Sequence, residues 1–110
     1  MAERSETLAL LFTDIEGSTN LLRSLGAEYR TLLSEHRRLL RDAFAAHGGT
    51  VLRGEGDALF VTFDDPSSAL LGAIDGQVAL AKAEWPAGSH VRVRMGIHVG
   101  EVTIDEDDDY

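Results

Sequence analysis

The sequence predicts an α+β domain in which one antiparallel sheet carries helices on a single face. Three observations lead there. The spacing of apolar residues changes along the 110-residue chain, from a continuous run to a helical period and later to strict alternation. Glycine and proline stand where the period changes, at 48–49, 54–56, 66 and 86–88. The elements so delimited follow one another as strand, helix, strand, strand, helix, strand.

Residues 7–13, Thr-Leu-Ala-Leu-Leu-Phe-Thr, form a short apolar run between polar flanks, the pattern of a buried central strand. A turn follows from 14 to 19, with Ser18 or Thr19 as the expected helix cap. Leu21, Leu22, Leu25, Tyr29, Leu32, Leu33, Leu39, Leu40, Ala43 and Phe44 then recur at helical spacing. One amphipathic helix is therefore predicted to about Ala46, with Gly26 as a point of breaking or bending. His47-Gly48-Gly49 ends it, glycine being the preferred residue past a helix C-terminus. Residues 50–53 and 58–63 read as two strands of a hairpin around Gly54-Glu55-Gly56-Asp57, whose glycines permit positive φ. Asp65-Pro66 opens a second helix with an apolar face of Ala69, Leu70, Ala73, Ile74, Val78 and Ala81, and Trp85-Pro86-Ala87-Gly88 ends it. From 91 to 100, Val91, Val93, Met95, Ile97 and Val99 alternate with Arg92, Arg94, Gly96, His98 and Gly100, as a half-buried strand requires.

This βαββαβ order is that of the ferredoxin-like split βαβ unit, with sheet order 4-1-3-2 and right-handed crossovers. The topology has a chemical consequence. Asp14 leaves the first strand at the end where Asp57 enters the third, so two carboxylates more than forty residues apart become neighbours. Adjacent carboxylates repel unless a cation lies between them, and a hard divalent ion such as Mg²⁺ takes oxygen ligands while leaving positions for phosphates. The first helix begins beside Asp14, at Gly17-Ser18-Thr19, and free N–H groups at a helix N-terminus attract phosphate. A nucleoside triphosphate suits that combination. An aspartate after a strand is also a common turn former, and Gly54 and Gly56 by themselves specify only a tight turn.

Composition limits the alternatives. The net charge is −9, but six of the 19 acids lie in residues 101–110, and an acidic tail runs from 105 to 109 as an exposed hairpin or frayed end. Residues 1–100 carry 13 acids and 10 bases with no basic stripe, which argues against a nucleic-acid partner. The chain has no cysteine, so neither disulfides nor thiolate chemistry is available, and a reducing cytoplasmic setting is expected. No leader and no membrane-length apolar segment is visible. His36 and His47 are expected on a helix surface, His98 on the polar side of its strand, and Arg37, Arg38 and Arg41 on a solvated helix face.

Three segments carry a family resemblance. Leu10-Leu11-Phe12-Thr13-Asp14-Ile15-Glu16-Gly17-Ser18-Thr19 resembles the opening motif of class III nucleotide cyclases. Gly56-Asp57-Ala58-Leu59-Phe60 resembles their second motif, and Arg92-Val93-Arg94-Met95-Gly96-Ile97-His98-Val99-Gly100-Glu101 the strand that follows. The motifs fall in family order within 7–101 and look most like bacterial cyclase domains attached to signalling modules. The resemblance implies one cyclase domain over 1–110, its N-terminal two-thirds. It implies that Asp14 and Asp57 bind two Mg²⁺ or Mn²⁺ ions, that Ile15 offers a backbone carbonyl, and that Gly17, Ser18 and Thr19 touch phosphate. Arg53 falls where adenylate cyclases carry a purine-reading lysine and guanylate cyclases a glutamate, which favours ATP over GTP; a plain surface arginine is the other reading. The implied reaction is ATP to 3′,5′-cyclic AMP and pyrophosphate, by a homodimer in the intact protein. The family's later Asn and Arg, which act on the ribose and the transition state, have no counterpart up to Tyr110, so weak or absent activity is expected of this chain alone. A non-catalytic nucleotide-binding or dimerising regulatory module is the alternative. The Gly-Gly-Asp/Glu-Glu-Phe signature of diguanylate cyclases does not occur at the hairpin.

Overall fold

A computed structural model describes residues 3–105. Its elements are β1 (Glu3–Ile15), α1 (Ser18–Leu25), α2 (Glu28–Ala45), β2 (Thr50–Glu55), β3 (Ala58–Phe63), α3 (Pro66–Lys82), a 3₁₀ turn (Pro86–Gly88) and β4 (Val93–Asp105). The sheet order is β2-β3-β1-β4, the order expected, with β1 antiparallel to both β3 and β4. The architecture is an antiparallel sheet with helices on one face.

Alternation sorts the strands into two faces. Ala9, Leu11 and Ile15 of β1, Leu59, Val61 and Phe63 of β3, and Val93 of β4 turn toward the helices, where they meet Leu32, Leu40 and Phe44 of α2 and Ala69 and Leu80 of α3. All of these are at most 7% exposed, so this layer is the core. The Phe44 and Phe63 rings meet edge to face, 6.0 Å apart. The opposite face, including Phe12, Arg94 and His98, has no helix over it among the described residues, and Phe12 is 52% exposed.

Several expectations need correction. The single helix predicted to Ala46 is two helices, because Gly26 takes φ 56 and ψ −121, a conformation reserved for glycine, and the chain turns there. Neither Ser18 nor Thr19 caps α1. Gly17 does, in the left-handed region at φ 68, and no side chain bonds the first turn. The apolar face of α3 is also different. Leu70, Ile74 and Val78 are half-exposed, whereas Ala69, Gly72, Gly76 and Leu80 face the core. The helix is apolar nearly all round, so spacing alone offered two faces. The glycines select the inner one, since a Cβ at Gly72 would come within 3.1 Å of the Phe63 ring and at Gly76 within 2.9 Å of Leu40. The Asp65 cap is as expected, accepting the Ser68 N–H at 2.8 Å with Pro66 in the first turn.

β1 and β4 are longer than their apolar cores, pairing from Glu3↔Asp105 to Ile15↔Val93, and Val91 and Arg92 precede β4. Of the acidic tail, Asp105 ends β4 and 106–109 lie outside the described residues.

Candidate metal and nucleotide site

Asp14 lies one residue from the end of β1, and its cross-strand neighbour on β4 is Arg94. Strand alternation puts both side chains on the open face. There the guanidinium forks onto the carboxylate, Nε donating to Oδ1 at 2.9 Å and Nη2 to Oδ2 at 2.8 Å. The pairing raises the Arg94 pKa, the Asp14 hydrogen bond and charge first, with Glu16 and Asp57 adding. Sequence reasoning passed over Arg94. Its place among alternating residues was visible, but the register that sets it opposite Asp14 exists only once β4 joins the sheet.

Asp57 occupies the tight turn between β2 and β3, after Gly56 at φ 58. Its Oδ2 reaches across to accept the Ile15 N–H at 2.6 Å. That bond ties the hairpin to the end of β1 and brings Asp57 beside the segment that carries Asp14. The two carboxylates therefore share one end of the sheet, as the topology required. Ile15 buries its side chain in the core, 2% exposed, so only its backbone faces this end. Gly17 starts α1 a turn further on, with Ser18 and Thr19 in the first helical turn, whose N–H groups have no acceptor within the helix. Arg53 is set apart along the open face of β2. Its guanidinium lies 4.6 Å from the centre of the Phe60 ring, a cation–π stack.

The layer beneath the turn is polar, which the sequence did not suggest. Arg37 does not point into solvent with its neighbours: its Nη2 donates to the Gly56 carbonyl and so braces the Asp57 turn from α2. Arg38 and Arg41 are on the exposed side as expected, Arg38 pairing with Glu35 and Asp42. Burial, and next the Asp57 charge, raise the Tyr29 pKa, while Ser18 and Arg37 oppose the shift. His36 is a correction: it is fully buried on the inner stripe of α2 rather than on the surface. Its Nδ1 is 3.4 Å from the Leu33 carbonyl and its Nε2 has no partner among the described residues. Burial lowers its pKa and the Arg37 charge adds to the shift, with the Leu33 carbonyl and Asp57 countering. His47 lies just past α2, and its Nε2 is 2.6 Å from Asp75 on α3. His98 is exposed on the open face.

No cluster of three or more His, Cys, Asp or Glu side chains able to hold a metal exists among the described residues. A closed zinc-type site is therefore not built here. Two carboxylates and a backbone carbonyl suit Mg²⁺, which keeps most of its coordination for water and phosphate oxygens. Asp14 already holds a cation, the Arg94 guanidinium, on both oxygens, so the donor set fits a positive charge.

The family profile of the adenylate and guanylate cyclase catalytic domain matches residues 1–108, and the chain belongs to that family. It is 34% identical to an adenylate cyclase of Podospora anserina over 86% of this chain, and 32% identical to one of Lachancea kluyveri over 91%. The chain spans only 5% and 6% of those two proteins. Among solved structures, adenylate cyclases of Trypanosoma brucei in their monomeric state superpose with a TM-score of 0.79 over 86% of this chain and 56% of theirs. At 22% identity that likeness shows the fold. Members of the family use divalent metal ions. No helix among the described residues is long and apolar enough to cross a membrane.

Proposed function

We propose that this chain supplies the metal- and phosphate-binding part of an enzyme that converts ATP to 3′,5′-cyclic AMP and pyrophosphate. The observation that carries the proposal is the bond from the Ile15 N–H to Asp57, which puts Asp57 at the same end of the sheet as Asp14, beside the Gly17 turn and the N-terminus of α1. Asp14, Asp57 and the Ile15 carbonyl hold two Mg²⁺ or Mn²⁺ ions. When bound, such ions lower the pKa of a substrate hydroxyl and neutralise phosphate charge. The N–H groups of Gly17, Ser18 and Thr19 orient the triphosphate, and the helix dipole adds to their pull. Arg53, a cation where guanylate cyclases carry a carboxylate, reads the purine and favours ATP over GTP. The motif order supports placing residues 1–110 in the N-terminal two-thirds of one cyclase domain. The bacterial affinity rests on the wording of those motifs, beside fungal kinship. The intact enzyme is a cytoplasmic homodimer in this reading.

The test is binding of a fluorescent ATP analogue to the 110-residue chain with and without Mg²⁺, alongside cyclic AMP detection by mass spectrometry. Binding should require the metal and weaken at least about tenfold in Asp57→Asn, the loss typical even of an outer-shell partner at a metal site. Turnover should be slow, since each missing transition-state group costs about 10²–10³-fold. Metal-independent binding, or binding indifferent to Asp57→Asn, refutes the site. Binding without product from a polypeptide spanning a whole cyclase domain replaces catalysis with a regulatory role.

A further inference from the structure

Among the described residues, Arg94 is the cation in contact with Asp14, one of the two carboxylates that the proposed function assigns to a metal. Its position is not a surface accident. The register of β1 with β4 fixes Arg94 opposite Asp14, and shifting it would displace thirteen residue pairs. The contact uses the planar fork in full, two parallel bonds of 2.9 and 2.8 Å to the two oxygens of one carboxylate. Three acids, Asp14, Glu16 and Asp57, all act on this guanidinium. The end of the sheet would otherwise carry concentrated negative charge.

We propose that Arg94 is a stand-in cation, and that a divalent ion at Asp14 binds by displacing it. This rests on the metal-site reading of Asp14 and Asp57. Two features make the exchange feasible. The pair is open to water, the side chains of Arg94 and Asp14 being 65% and 44% exposed, so neither partner is stranded in a dry interior when they part. A guanidinium and a divalent ion on the same carboxylate also repel at close range, so the two occupancies compete. While paired, Arg94 keeps Asp14 aimed and offsets repulsion from Asp57; when the ion arrives, it takes over both tasks. Arg94 is thus a positioning residue whose cost is weaker metal binding.

The experiment is a Mn²⁺ titration of the 110-residue chain, followed by electron paramagnetic resonance, in wild type, Arg94→Gln, Arg92→Gln and Asp57→Asn. Arg94→Gln should tighten Mn²⁺ binding about fivefold, the upper end for an exposed but well-formed ion pair. Arg92→Gln removes the same formal charge from an exposed residue and leaves the Asp14 pair in place, so it should change affinity much less. Unchanged or weaker binding in Arg94→Gln, or an equal gain in Arg92→Gln, overturns the exchange. Should Arg94→Gln fold poorly by circular dichroism, Arg94→Lys keeps the charge, loses the fork and should give an intermediate gain. A second readout needs no variant: the Arg94 Nε–H resonance should shift toward that of free arginine as Mg²⁺ saturates the chain, and a stationary resonance overturns the proposal. Asp57→Asn separates the failures. If it leaves Mn²⁺ affinity unchanged, the metal site itself is wrong and the exchange falls with it. If it weakens binding while Arg94→Gln gives no gain, only the exchange falls.

Discussion

Phe44→Ala removes one of the two phenylalanines buried in the layer that holds α2 against the sheet. Phe44 is fully buried and meets Phe63 edge to face at 6.0 Å. Collapse into the hole is hindered from two sides, because Gly49 and Gly72 already bring backbone close to the Phe63 ring. A buried Phe→Ala change costs about 3–5 kcal/mol, of which about 0.5–1.5 belongs to an aromatic pair. A domain of this size has about 5–15 kcal/mol in total, so the variant should keep between almost none and about four-fifths of its stability. Urea unfolding monitored through Trp85 is a suitable assay, since this single tryptophan is anchored at the end of α3 by its Nε1 donating to the Leu80 carbonyl. The midpoint should fall with the denaturant slope unchanged. A double-mutant cycle with Phe44→Leu and Phe63→Leu should return the aromatic share as a coupling energy. A loss under about 1 kcal/mol for Phe44→Ala, or a coupling of zero, would refute the claim that this pair anchors α2.

Gly26→Ala should cost about 1–3 kcal/mol by the same assay, since alanine resists φ 56 with ψ −121. Asp57→Ala should cost about 1.5 kcal/mol of stability by orphaning the Ile15 N–H, while Asp57→Asn, which keeps an acceptor, should cost less; thermal melts would rank them. His36 gives a pH dependence with a definite sign. Its folded-state pKa is lowered, so above the ordinary value near ~6.5 both states are neutral and stability is at its full level. As pH falls through that value toward the folded one, the unfolded chain binds a proton that the folded chain refuses, and stability is lost. The urea midpoint of wild type should fall relative to that of His36→Leu between neutral and acidic pH, and a constant difference would contradict a lowered folded-state pKa.

Sheet order and the placing of Asp14 and Asp57 at one end of the sheet could be read from the chain because they follow from element order, which apolar period and glycine punctuation encode locally. Three other features could not. The inner face of α3 is chosen by Gly72 and Gly76, and an absent side chain leaves no mark in an apolar pattern. His36 stands four residues from Leu32 and four from Leu40, on the stripe that α2 turns inward, but a polar ring does not register in an apolar pattern. The contacts of Arg37 and Arg94 are tertiary: one reaches from α2 to the Gly56 carbonyl, the other across β1 and β4. In both cases the sequence showed a charged residue and the fold decided whether it met water or a partner.

The length of β1 carries a further consequence. β3 leaves β1 at Ala9↔Phe63, while the pairing of β1 with β4 continues to Glu3↔Asp105. Among the described residues the last rungs form a two-stranded ribbon with no third strand beside it, and such ribbons are marginal alone. Amide deuterium uptake should therefore run as a gradient along one continuous strand, fast at residues 3–7 and slow from Ala9 to Ile15. The acidic end would then sit on the most durable stretch of the molecule, and the chain's looser stretch would lie at the far end of the same strand.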